Sequence, residues 1–133
     1  MTNTYLRTTL ISIFFLSCLN SASALSPTII YVDKAYTEKN AENHTFGVDA
    51  FSTIQEGVNA AREDGIVYVK SGTYDEAVTI TKSLSLSGYA GYVSTGASDM
   101  APIINGGTST ATILVQGSNS PLRVSIFNFH ILN

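Results

Sequence analysis

Phe51 to Gly88 reads FSTIQEGVNAAREDGIVYVKSGTYDEAVTITKSLSLSG, and the change of period inside it decides the fold. Ile54, Val58 and Ala61 stand at i, i+4 and i+7 with Ala60 beside them, the apolar stripe of a helix. Ser52, followed three residues later by Gln55, has the form of a capping box, which satisfies two free backbone N–H groups. Gly65 stands where a left-handed C-terminal cap is wanted. Together these signals predict a helix over about residues 52–64. A helix of ~12 residues is marginal alone in water, so its stripe must cover something. From Ile66 the period becomes two. Ile66 to Val69 reads as a strand, Ser71-Gly72 as a turn, and Ala77 to Ile80 as a second strand with Val78 and Ile80 on one face. After a turn at Lys82-Ser83, Leu84 and Leu86 alternate with Ser85 and Ser87 up to Gly88.

Upstream, Thr28 to Val32 is an apolar, β-branched run ended by Asp33, a first strand. Lys34 to Val48 is polar without a clear period and reads as a surface loop; its Asn43-His44-Thr45 is a glycosylation sequon only in a eukaryotic host. Downstream, Tyr89 to Ala101 is a Gly/Ser/Thr-rich loop. Short strands follow at Ile103-Ile104, at Thr112 to Val115 and at Val124 to Leu132. In the last, Phe127, Phe129 and Ile131 alternate, which turns His130 outward. No strand is followed by a helix, which argues against a doubly wound α/β fold. Two-residue Asn-Gly or Asp-Gly hairpin turns are scarce, Asn105-Gly106 being loosely placed. Leu84–Gly88, Ile103–Gly106 and Val124–Asn128 recur at spacings of about twenty, the mark of a coiled β-solenoid.

The first 24 residues differ from the rest. Arg7 is their one charge, Leu10 to Leu19 is apolar, and Ala22-Ser23-Ala24 fits a small-residue cleavage site. The apolar run is too short for a bilayer, which needs ~20 residues. A secretory signal peptide over residues 1–24 is therefore expected, with the rest of the chain secreted, extracellular or periplasmic. Phe15-Leu16-Ser17-Cys18 loosely resembles a lipobox, a minority alternative in which Cys18 is lipidated; Phe15 and Leu16 depart from that pattern. Cleavage after Ala24 removes Cys18, the one cysteine, and with it disulfides and thiol chemistry.

The remaining chain, 25–133, keeps six of the seven basic residues and all ten acidic ones, a formal charge of −4, so the electrostatic footprint of a nucleic-acid binder is missing. Charged residues make up 13% of the whole, against roughly 25% in an average domain, and Ser, Thr, Gly and Asn take their place. That mix favours strands and turns.

Candidate chemistry is sparse. Asp75-Glu76 is an adjacent acidic pair expected in a solvated or structural role. Asp33, Asp49 and Asp99 lie far apart, with none of the Asp-rich spacing that Ca²⁺ wants. His44 and His130 have no partner at useful spacing. Tyr31, Tyr36, Tyr68, Tyr74, Tyr89 and Tyr92 offer either aromatic platforms for sugars or ordinary packing, and packing is the expectation. No catalytic, cofactor-binding or metal-binding residue is assigned.

Phe51–Ala61, Gly65–Val69, Gly72-Thr73-Tyr74, Glu76, Val78, Ile80 and Lys82–Gly88 together resemble the opening of right-handed parallel β-helix proteins of the pectin-lyase-like superfamily, and Pro102–Gly106 and Val124–Asn133 continue the pattern. Pectin methylesterases and many bacterial secreted β-helix-repeat proteins begin this way. The resemblance covers roughly residues 28–133. It implies an all-β solenoid of about three coils, capped by the helix and cut short at its C-terminal end, with Gly72 and Gly88 at bends between sheets. It implies a secreted module that binds polysaccharide or serves a structural role at the cell surface, its open end met by further coils or a partner chain. The alternative is the N-terminal part of a carbohydrate-active enzyme, a pectin methylesterase or polysaccharide lyase. Those enzymes' catalytic residues sit on later coils, and no position here matches them; Gln116 does not fit.

Overall fold

A computed structural model describes residues 26–89, 101–117 and 121–133. The expected signal peptide, Cys18, Tyr92 and Asp99 lie outside the described residues, as does most of the Tyr89–Ala101 loop. The chain runs β1 (Ile29–Val32), β2 (Ala50–Phe51), α1 (Ile54–Ala60), β3 (Gly65–Lys70), β4 (Thr73–Tyr74), β5 (Val78–Ile80), β6 (Leu84–Tyr89), β7 (Ile103–Asn105), β8 (Ile113–Val115), β9 (Val124–Phe127) and β10 (His130–Leu132).

Every pairing between these strands is parallel. Three sheets result, ordered β2-β1-β3-β6-β9, β10-β7-β4 and β5-β8. From β3 onward the chain visits them in fixed rotation, first sheet, second, third and back to the first. This mostly parallel, three-sheet architecture with one helix near its start is consistent with a partial solenoid. Alternation sorts the side chains as expected. Ile30, Val32, Val67, Val69, Val78, Ile80, Leu84, Leu86 and Ile104 are buried in one core, and the serines of β6 lie on its opposite face.

The repeat spacing differs from the expectation. Ile66 pairs with Ser85, nineteen residues on, but Ser85 pairs with Ser125, forty residues on. Ile103, which had marked the intermediate repeat, belongs to the second sheet, beside Thr73 and His130. The links between sheets vary in length, so a fixed period of about twenty cannot survive. The expected single strand over Val124–Leu132 is two strands, split where Asn128 takes a left-handed φ of 61°. Phe127 therefore stays on the outer face, partnered with Ser87, while Phe129 packs against the core. His130 is exposed, as expected, and Ile131 is 52% exposed because no strand lies beyond it among the described residues.

The helix is shorter than residues 52–64, and its cap is displaced by one residue. Thr53, in extended geometry, is the N-cap. Its Oγ1 accepts from the Glu56 N–H at 3.3 Å and donates to Glu56 Oε2 at 2.8 Å. This places Ile54, fully buried, as the first helical residue. Gln55 is freed for another task. Its side-chain amide donates to Thr79 O at 3.1 Å and accepts from Thr79 N–H at 2.7 Å, pairing with β5 as a strand would. At the other end Ala61 leaves helical geometry to bury its methyl, and Arg62 N–H donates to Pro27 O. Lys82 Nζ donates to the carbonyls of Asn59 (2.9 Å) and Ala61 (2.7 Å), taking up C-terminal acceptors that Gly65 was expected to help cap. Asp64, not Gly65, adopts the left-handed turn, with φ 57°.

Gly57 and Gly88 are set by contact. A Cβ on Gly57 would lie 2.7 Å from Val32 Cγ2, so its absence lets α1 lie directly on β1. A Cβ on Gly88 would lie 1.9 Å from Asn128 O, so Gly88 serves a close backbone approach, not the expected bend. Gly72, with φ 148°, does make its turn.

Candidate functional site

The outward face of the first sheet collects most of the distinctive side chains. Burying Ile30, Val32, Val67 and Val69 forces Tyr31, Tyr68 and Lys70 to the other face, by the period of two. Parallel register then sets Tyr31 beside Tyr68, and Lys70 beside Tyr89. The Tyr31 and Tyr68 rings stack with centroids 5.9 Å apart, and Tyr68 meets Tyr89 edge-on at 6.1 Å. His44 stacks on Tyr31 at 3.9 Å, and Tyr36 lies 6.4 Å beyond His44. Five rings thus form one continuous series across loop and sheet. Well-placed aromatic pairs contribute ~0.5–1.5 kcal/mol each beyond their buried area.

The Lys34–Val48 segment is more ordered than a surface loop. Thr37 and Asn40 bridge each other, and Tyr36, Ala41 and Ala50 form a small second core with Tyr31 and Phe46 packed against it. At its edge Tyr36, Thr37, Glu38, Lys39, Phe46 and Ser52 line an open cleft of about 530 Å³. Tyr36 is both part of this cleft and the first ring of the series.

Beside the cleft Lys70 Nζ hydrogen-bonds Glu42 and lies 3.4 Å from Asp33 Oδ2, while Tyr36 OH donates to Glu42 Oε2 at 3.1 Å. Burial acts to lower the Lys70 pKa, but Glu42 and Tyr36 beside it prevail and hold it above the ordinary lysine value. The hydrogen bond from Lys70 holds the Glu42 carboxyl below the usual range, and burial raises the Tyr36 phenol. At neutral pH Lys70 is a cation and Glu42 an anion, so Lys70 offers no free amine as a nucleophile. Chemically the cluster is a clamp that fastens the loop to β3.

The residues singled out by sequence are largely committed to structure. Glu76 accepts from the Ile54 N–H at 2.8 Å and the Gln55 N–H at 2.9 Å, the unsatisfied donors at the start of α1. Asp75 accepts from Asn105 Nδ2 at 2.9 Å. Asp33 Oδ1 accepts from Ala35 N–H, and Asp49 accepts from Thr45 N–H and faces His44 Nδ1 at 3.3 Å. Among the described residues no group of three His, Cys, Asp or Glu side chains could hold a metal ion. Of the tyrosines, Tyr36 and Tyr74 are buried, Tyr31 and Tyr68 half-buried, and Tyr89 is 48% exposed.

Sequence reasoning missed the Asp33–Glu42–Lys70–Tyr36 cluster and the ring series. The signal available was the apolar spacing Tyr36, Ala41, Phe46 inside a polar segment; the register that joins Tyr31 to Tyr68 has no local signature. Comparison with family models, with curated proteins and with solved structures gives no match. No helix among the described residues is long and apolar enough to cross a membrane.

Proposed function

We propose that this chain is the capped N-terminal portion of a right-handed, pectin-lyase-like β-solenoid, exported by its N-terminal segment and acting as a carbohydrate-binding module. The observation that carries this reading is the continuous series Tyr36–His44–Tyr31–Tyr68–Tyr89 leading from an open cleft. Sugar rings present apolar C–H faces and a girdle of hydroxyls. The cleft offers both counterparts, the half-buried Phe46 for the faces, backed by the buried Tyr36, and Thr37, Glu38, Lys39 and Ser52 for the hydroxyls. The stacked rings of Tyr31 and Tyr68 occupy each other's faces, so they present edges and phenols, and binding centres on the cleft and on Tyr89.

The test is a glycan array probed with the exported chain, followed by titration of the best ligand against Phe46→Ala and Tyr89→Ala. Binding that weakens at least tenfold in Phe46→Ala supports the reading. Absence of binding to any glycan, by a chain shown to be folded, removes it. The N-terminus of the exported chain, read by mass spectrometry, is expected to be Leu25; a lipidated Cys18 would replace simple secretion by anchoring. A second reading, the opening of a polysaccharide-modifying enzyme such as a pectin methylesterase or polysaccharide lyase, is favoured by one observation. Among the described residues β9, β10 and β8 each have a paired strand on one side only.

A further inference from the structure

The lining of the cleft comes wholly from between Tyr36 and Ser52, inside the unbroken described run 26–89, and its charge is settled by one turn. Thr37 and Asn40 exchange backbone hydrogen bonds, Thr37 N–H to Asn40 O at 2.9 Å and Asn40 N–H to Thr37 O at 3.0 Å. Closing that pair leaves Glu38 and Lys39 as the turn between them, both exposed. Opposite charges therefore stand side by side in the wall of the cleft. The other cations of this region are engaged elsewhere. Lys70 is held by Asp33 and Glu42, and Lys34 Nζ donates to Thr73 O at 2.6 Å. From Asp33 to Asp49 the chain carries four carboxylates, Asp33, Glu38, Glu42 and Asp49, against Lys34 and Lys39. Even with Lys70 added the region stands at −1 while His44 is neutral.

Given the carbohydrate-binding reading, on which this rests, we propose that the cleft takes a neutral glycan and disfavours uronate chains, with Glu38 as the residue that sets the preference. The hydroxyls of a neutral sugar each donate and accept. Lys39 supplies donors, Glu38 acceptors, and the Thr37 and Ser52 hydroxyls either. A uronate chain carries a carboxylate on every sugar and needs a run of cations to meet it. Lys39 is a single cation, next in sequence to a carboxylate, so a uronate group that approaches Lys39 also approaches Glu38.

Specificity of this kind comes from a repulsive element as much as from an attractive one. Glu38 is the carboxylate among the lining residues. The others are occupied nearby: Asp33 and Glu42 with Lys70, and Asp49 with His44 and with Thr45 N–H at 2.7 Å. The rest of the chain adds no compensating positive charge, since residues 25–133 carry a formal −4. That field reaches roughly 30 Å at 0.01 M salt and roughly 10 Å at 0.1 M, so the preference for neutral chains depends on salt.

Titration calorimetry at low salt tests this with paired probes, short chains of glucose, galactose and mannose, each beside the same chain oxidised to the uronate at its primary hydroxyls. The best-bound neutral chain is expected to bind on the order of tenfold more tightly than its uronate. Glu38→Gln keeps an acceptor oxygen and removes the charge. It is expected to raise uronate affinity about threefold and to leave the neutral chain within about twofold. Added salt is expected to narrow the gap in the wild type and to do less in Glu38→Gln. A uronate bound as tightly as its neutral partner overturns this inference and leaves the carbohydrate-binding reading standing. So does a gap that Glu38→Gln leaves unchanged. A folded chain that binds none of these probes overturns both.

Discussion

The helix-capped start and the strand-edged finish are made from similar material, short runs of Val, Ile, Leu and Phe, yet they solve the edge problem differently. At the start, long-range hydrogen bonds tie the helix to the strands. Glu76 and Gln55 bind the first turn of α1 to β5, Lys82 holds its last carbonyls, and Ile54 and Val58 seal the core. At the finish the same kinds of side chain lie half in solvent. The lesson is that short parallel strands bury their apolar side chains where a helix and long-range hydrogen bonds lie against them, and leave them half exposed where nothing described does. The expected consequence is a gradient of sensitivity along the molecule.

The largest effect is expected from Gly88→Ala, where the two halves touch. A Cβ there lies 1.9 Å from Asn128 O and 2.9 Å from Pro102 Cδ, and backbone cannot step aside as a side chain can. Urea unfolding is expected to show a loss of more than ~4 kcal/mol, beyond the ~1–3 kcal/mol usual for overpacking, because the clash is with backbone. A neutral result would mean that β6 and β9 are not in the described register. Next comes Ile54→Ala in the seal. The buried side chain leaves a cavity under the helix, for a loss of ~2–4 kcal/mol by the same measurement.

Glu76→Ala is expected to cost about 1–2 kcal/mol, the range for removing a helix N-terminal cap. Thermal melts should place it between Ile54→Ala and any exposed substitution. If it is silent, the cap is held by Thr53 alone and the contrast between the ends weakens. Leu132→Ser, at a side chain 52% exposed, is expected to change stability by less than about 0.5 kcal/mol.

The smallest effect is pH dependence from the Lys70–Glu42 clamp. The folded-state pKa of Glu42 is depressed, so its contribution is present above the ordinary carboxylate range and is lost as pH falls through the folded value. Lys70 is raised, so its contribution is complete below the ordinary lysine range and is lost only at strongly alkaline pH. Glu42 is half in solvent, which keeps the pair to less than ~1 kcal/mol. Lys70→Met is expected to flatten the acid limb of the stability curve slightly. An unchanged acid limb would show that the loop is held by packing alone.

The first sheet was legible because alternation is local: Val67 and Val69 against Tyr68, and Leu86 against Ser85 and Ser87, declare their faces within a few residues. The stripe of α1 was legible for the same reason. What escaped depends on partners distant in sequence. β4 is two residues long and exists only because β7 lies beside it. Gln55 looked like half of a capping box because nothing nearby reveals Thr79 as its partner. The split at Asn128 turns on one backbone angle inside an unbroken apolar run. The candidate site escaped similarly. Tyr31, Tyr68 and Tyr89 are one row only once the register is known, and Lys70 meets Glu42 across 28 residues of chain.

Amide hydrogen exchange tests the contrast between the two regions most directly. The amides of β1, β3 and β6, whose side chains are sealed by α1, are expected to exchange slowly, and those of β8, β9 and β10 faster. Rates at β8, β9 and β10 as slow as those of β1 and β3 would contradict the account.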